Sequence, residues 1–157
     1  MSNIVNDTLN KQIEREELWT GNYNETVIPG GDSVILIVTG ASETVFSPSI
    51  ELSGPATIWL YEDTVTSADG TPITNYNMRR SSGETLLTTT FHTPTVTGAG
   101  TSILNTKASP DGRLTQAAAL NQDNGIILKA SSKYRIYILG DGVSSVYIAA
   151  SWYLREL

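Results

Sequence analysis

The chain has no cysteine, one histidine, two phenylalanines, and ten lysine and arginine residues against sixteen acids. Without cysteine there is no disulfide, no thiolate nucleophile and no Cys-ligated zinc or iron–sulfur site. One histidine rules out a three-histidine metal site. Nucleic-acid binders normally carry a basic excess or stripe, whereas the formal net charge here is −6, so no direct nucleic-acid partner is expected. The longest aliphatic run, Val34–Val38, is far too short to cross a bilayer, and no membrane partner is expected. The polar start, Met1 to Glu16, shows no apolar signal-peptide core, which reads as a protein made in a cytosol.

What fills the space is threonine and serine, 20 and 16 of them. Threonine with Val, Ile, Tyr and Gly favours strands and turns over helices. From Asn24 onward short apolar runs alternate with turn residues. Val34–Thr39 reads as a strand buried on both faces, and Ala56–Asp63 sets Ile58 and Leu60 against Trp59 and Tyr61. Thr44–Leu52 contains Pro48, which places it at an edge or a bulge. Asp69-Gly70, Asp111-Gly112, Asn124-Gly125 and Asp141-Gly142 are turn signals, because Asn, Asp and Gly tolerate positive φ. The last sits between Lys133–Leu139 and Val143–Leu154 and predicts the clearest hairpin. Eight or nine strands with short turns predict an all-β fold, an antiparallel β-sandwich or barrel, in a single domain over residues 21–157. Residues 1–20 differ: Leu9 and Ile13 stand one helical turn apart amid charges, which fits an N-terminal arm or a short helix. Its apolar residues, among them Leu9, Ile13, Leu18 and Trp19, pack on their own domain or reach a neighbouring subunit. Leu114–Gln122 reads as one or two helical turns or a long loop.

No catalytic constellation emerges, and no enzyme activity or cofactor is expected. His92 is the sole histidine base and stands in a Thr-rich strand without a nucleophile elbow, which reads as a structural or surface histidine. Glu62 and Asp63 are adjacent, so on a strand they point to opposite faces and make a poor acid–base pair. Asn121–Gly125 lacks the later bidentate Glu of an EF-hand loop and reads as turn chemistry. Arg79 and Arg80 are the only positive charges between Arg15 and Lys107. Beside Tyr76 and Met78 they have the composition of a protein contact, or else form a solvated loop with a local salt bridge to Glu62, Asp63 or Asp69.

The run from Tyr61 to Ile103 resembles a motif of small virion proteins of tailed bacteriophages and prophages, a "YE…T…G…L…YN.NR.S" segment followed by "HTPT.T..GT". The matching residues are Tyr61, Glu62, Gly70, Thr71, Tyr76, Asn77, Arg79 and Ser81, then His92, Thr93, Pro94, Thr95, Thr97, Gly100 and Thr101. "GIILKASSKYRIYI" and the terminal "SWYLREL" are looser matches, as is "KQIEREELWTGN" at the front. The chain departs from the pattern where Glu16, Glu17 and Trp19 replace a His-rich stretch, and where "RLTQAAALNQDN" replaces a Gly/Arg-rich loop.

The resemblance implies a non-enzymatic capsid decoration or cement protein with a jelly-roll-like sandwich. Its implied place is the virion, on the outer capsid surface, after synthesis in the host cytoplasm. The implied partners are the major capsid protein and further copies of the chain in a homo-oligomer, a trimer. The candidate interface is Leu9, Ile13, Leu18, Trp19, Tyr76, Met78, Arg79 and Arg80. Arg79 matches the motif and Arg80 does not, so Arg79 is expected to pin the long loop to a carboxylate such as Glu62 or to a neighbouring subunit. The alternative is a tail- or fibre-associated sandwich that recognises host-surface glycan, with Trp19, Trp59, Tyr76 and Trp152 as its aromatic stock.

Overall fold

The computed structural model describes residues 10–15, 17–107, 115–116 and 125–157. A short helical stretch, 10–14, precedes fourteen strands among these residues. They are β1 (Trp19–Val27), β2 (Asp32–Val38), β3 (Thr44–Leu52), β4 (Ala56–Glu62), β5 (Val65–Ala68), β6 (Thr71–Ile73) and β7 (Tyr76–Asn77). Then come β8 (Thr89–His92), β9 (Thr95–Gly98), β10 (Thr101–Lys107), β11 (Thr115–Gln116), β12 (Ile126–Leu128), β13 (Lys133–Gly140) and β14 (Val146–Glu156).

The strands build an antiparallel sandwich. One sheet runs β11-β3-β14-β1-β7, with β12 also on β3; the other runs β10-β4-β13-β2-β8-β6. Each sequential pair β1/β2, β3/β4 and β13/β14 divides between the two sheets. With β10 beside β4 and β11 beside β3, this is jelly-roll winding. The strand count exceeds the eight or nine of the sequence reading because short strands of two to four residues add to it. The predicted hairpin between β13 and β14 does not form. β13 pairs with β2 and β4 in one sheet, and β14 with β1 and β3 in the other. The reason lies in their apolar faces. Tyr134, Ile136 and Ile138 face Val146, Ile148 and Trp152 across the core, and all six are buried.

The core alternates as pleated strands require. β3 buries Phe46, Ile50 and Leu52, β4 buries Ile58 and Leu60, and β14 buries every second residue from Val146 to Leu154. Burying each of these large side chains contributes roughly 1.5–3 kcal/mol. Pro48 lies where β3 has a partner on one side only. On the other, β12 reaches Thr44–Phe46 and β11 reaches Glu51–Leu52, so a missing N–H is tolerated there. Thr115 and Gln116, within the stretch read as helix or loop, are strand.

Residues 63–100, which carry most of the motif resemblance, are an insertion between β4 and β10. It is one bent ribbon. β6 pairs with β8 at the edge of one sheet, and β5 pairs with β9 as a separate two-stranded unit. The bend falls at Gly70 (φ +95°) and Thr93 (φ +56°), and a Cβ at Gly70 would run into the His92 carbonyl. Between β6 and β8 the chain crosses to the other sheet, where β7 pairs with β1. Asn75 holds this crossing. It accepts a hydrogen bond from Trp152 Nε1 (2.9 Å) and donates to Thr90 Oγ1 (2.9 Å). The insertion thus closes one open side of the sandwich.

Candidate functional site

Arg135 is the most buried cation among the described residues, only 9% exposed. It points away from the core on β13, between Leu36 of β2 and Tyr61 of β4 in register. Its guanidinium lies 4.2 Å from the Tyr61 ring centre and 5.2 Å from that of Tyr137. Trp59 extends the aromatic row, 5.4 Å from Tyr137. Arg135 Nε donates to the Ala99 carbonyl (3.3 Å), which also accepts from Thr64 Oγ1 (3.0 Å). Arginine suits this place because a planar, weakly hydrated cation stacks on rings and survives burial.

Beside Arg135 is a cleft of about 260 Å³, lined by Glu25, Asp32, Ser33, Pro94, Val96 and Tyr137 among others. Ser33 Oγ donates to Glu25 Oε2 at 2.5 Å. Burial first, then the Glu25 charge, pushes the Tyr23 hydroxyl above its ordinary pKa. Burial and the charge of Asp32 do the same for Tyr137. His92 stacks on Tyr23 with ring centres 4.6 Å apart, and its Nδ1 lies 2.9 Å from Thr93 Oγ1. Among the described residues its ring makes no hydrogen bond to a carboxylate. No group of three or more His, Asp or Glu among the described residues is placed to hold a metal ion.

A second polar cluster sits where β4, β5 and β13 meet. Tyr134 Oη donates to Glu62 Oε1 (2.9 Å) and accepts from the Lys129 amide (3.0 Å), while Lys129 Nζ lies 3.1 Å from Glu62 Oε2. The tyrosine hydrogen bond, then Lys129, holds Glu62 below its ordinary value of 4.5. Asp69 is held below 3.8 by Lys133 Nζ at 2.6 Å and then by the Thr66 hydroxyl. Both groups are carboxylates with depressed folded-state pKa values. Their contribution is therefore complete above the unfolded values and is lost as pH falls through the folded ones. Urea midpoints are expected to hold steady from about pH 7 to pH 5 and to fall below about pH 4.5, with Glu62→Gln flattening that acid limb. An unchanged acid limb in the variant would contradict the role given to Glu62.

The predicted interface residues fall in different places. Leu9 lies outside the described residues. Leu18 is buried in the chain's own fold, and Trp19 packs against the core. Ile13 is half-buried on the helical stretch. Tyr76 is exposed, with the Arg80 guanidinium 4.7 Å from its ring centre. Met78 is half-buried and its amide donates to the Leu18 carbonyl (2.9 Å). Arg79 Nη1 donates to the Glu14 carbonyl (2.9 Å), so it ties the insertion to the N-terminal helical stretch, while Glu62 is engaged by Tyr134 and Lys129. Sequence reading missed Arg135, whose neighbours in "KYRIYILG" mark a strand but not its cover.

No family model matches the chain, and no curated protein does. Among solved structures, it is similar to the periplasmic inhibitor of g-type lysozyme from Aeromonas hydrophila. That match has 13% identity, covers 88% of this chain and 86% of that one, and has a TM-score of 0.36. A mutant VP2 protein of infectious bursal disease virus gives 11% identity over 89% of this chain and 40% of that one, with a TM-score of 0.16. Both scores are too low to carry a fold or a function across, so the fold rests on the sheet topology above. No helix among the described residues is long and apolar enough to cross a membrane.

The capsid expectation gains no support from these comparisons: the structure matched over most of both chains is a periplasmic inhibitor, and the virion protein is the weaker match. The readings as capsid decoration protein and as fibre-associated glycan module are withdrawn. So are the major capsid protein and homotrimer as partners, and the outer capsid surface as location. The motif residues have local duties instead. Tyr61 flanks Arg135, Glu62 binds Tyr134, His92 stacks on Tyr23, and Gly70 and Gly100 take positive φ where a Cβ would strike backbone.

Proposed function

We propose that this chain is a non-catalytic β-sandwich whose task is to bind another protein. The observation that carries the reading is how its acids are used. Glu25, Glu62, Asp69 and Glu156 are each bonded to groups of the fold, Glu156 Oε1 accepting the amides of Leu87 and Thr88. The shifts of Glu62 and Asp69 run downward, opposite to what a general acid needs at neutral pH. His92 is spent on a ring stack. What remains available is a stiff scaffold presenting turns, the usual basis of a binding protein.

The test combines a substrate panel with a binding measurement. Esters, peptides, glycosides and phosphates are expected to turn over no faster than in buffer. A protein purified from the natural source is expected to bind saturably, with equal affinity for wild type and His92→Ala. Turnover abolished by His92→Ala would overturn the reading.

A further inference from the structure

We infer that the partner docks on the end of the sandwich formed by the β1–β2, β3–β4 and β13–β14 turns, and that it offers an apolar centre rimmed by lysine or arginine. This rests on the protein-binding reading above and assigns it a face. The two most exposed large apolar side chains among the described residues are Val143 (83%) and Ile28 (74%). Both stand on this end. Their turns touch, since the Gly140 amide donates to the Gly31 carbonyl (3.0 Å) and a Cβ on Gly30 would lie 3.6 Å from the Gly142 Cα.

The turns are held rigidly. Ile28-Pro29-Gly30-Gly31 has proline second and a positive-φ glycine third, closed by the Gly31 amide on the Ile28 carbonyl (2.8 Å), the type II pattern. Val143 donates its amide to Asp141 Oδ1 (3.0 Å), and the Asp141 amide donates to the Pro55 carbonyl (3.2 Å), which joins the third turn. Exposed apolar side chains on fixed turns lose little conformational freedom when they bind.

Charge selects the occupant. Residues 28–32, 53–55 and 141–145 contain Asp32 and Asp141, both exposed, and no lysine, arginine or histidine. The neighbouring cleft holds both Glu25 and Arg135, which offset one another, so the charge of this end comes from the two aspartates. The whole chain carries −6, so a cationic surface is attracted from a distance and its rim is complementary on contact. A second copy docked end to end would set aspartate against aspartate, and an anionic bilayer would repel the same groups.

The probe is a fluorescent amphipathic helical peptide with a leucine stripe flanked by lysines, followed by anisotropy. Saturable binding is expected, at least about tenfold weaker for Ile28→Ser/Val143→Ser and for a peptide with glutamate flanks. Asp32→Asn/Asp141→Asn, which keeps the side-chain acceptors, is expected to weaken it about threefold to tenfold. Val65→Ser/Ile127→Ser, exposed elsewhere, is expected to leave affinity unchanged. Circular dichroism and melting confirm that the variants fold. No binding of the lysine peptide, equal binding of the glutamate peptide, or unchanged affinity in Ile28→Ser/Val143→Ser would overturn this assignment while leaving the protein-binding reading to its own test. Vesicle binding by the wild type that the double variant loses would overturn it in favour of a membrane.

Discussion

Trp152→Ala is expected to cost about 3–5 kcal/mol of folding stability, the largest effect of any single truncation in the core. The ring is 2% exposed, tilts against Phe46 at 6.4 Å and donates to Asn75, which in turn bonds Thr90 on the other sheet. Removing it leaves a cavity and frees the crossing of the insertion at once. Gly21 stands opposite Trp152 in register, and a Cβ there would meet Asn75 Oδ1 and lie 2.5 Å from Trp152 Nε1. Gly21→Ala is therefore expected to be costly in the wild type and much milder in Trp152→Ala, a coupling that a double-mutant cycle reads directly. Urea unfolding followed by far-ultraviolet circular dichroism measures both. Additive costs would show that the glycine is not there to make room for the ring.

Arg135→Ala is expected to cost about 2–4 kcal/mol, since it removes a buried cation stacked on two rings together with its hydrogen bond to the ribbon. The loss should be local as well as global. Amides of β5 and β9 are expected to exchange at least about tenfold faster, ahead of those in β3 and β14. Arg135→Lys recovers only part, because an ammonium cannot stack as a plane. Arg80→Ala, which removes an exposed guanidinium 4.7 Å from the Tyr76 ring centre, is expected to cost about 1 kcal/mol or less. Equal costs for Arg135 and Arg80 would contradict the place given to Arg135.

The contrast between these arginines shows how far the sequence could be read. Arg79 and Arg80 attract notice because they are adjacent. Arg135 is one polar residue in an alternating strand, and its burial depends on a ribbon that arrives from residues 63–100. Alternation in β3, β4, β13 and β14 was legible, because a pleated strand with one buried face writes its period into the chain. Which sheet each strand joins was not. The Asp141-Gly142 turn reads the same whether it closes a hairpin or carries the chain across the core, and only the facing sets of side chains decide. The same limit hid the docking end. Ile28 and Val143 are single apolar residues inside Gly-rich turns, which pattern reading treats as punctuation. Their turns are far apart in sequence and meet only through the jelly-roll winding.

The most direct test of the account is amide hydrogen exchange on the chain with and without its protein partner from the natural source. Protection is expected at residues 28–32 and 141–145, with the β5–β9 ribbon and the exposed face of β14 unchanged. Protection centred on Tyr76 to Arg80, or on the edge strand β10, with the turn end unaltered, would contradict it.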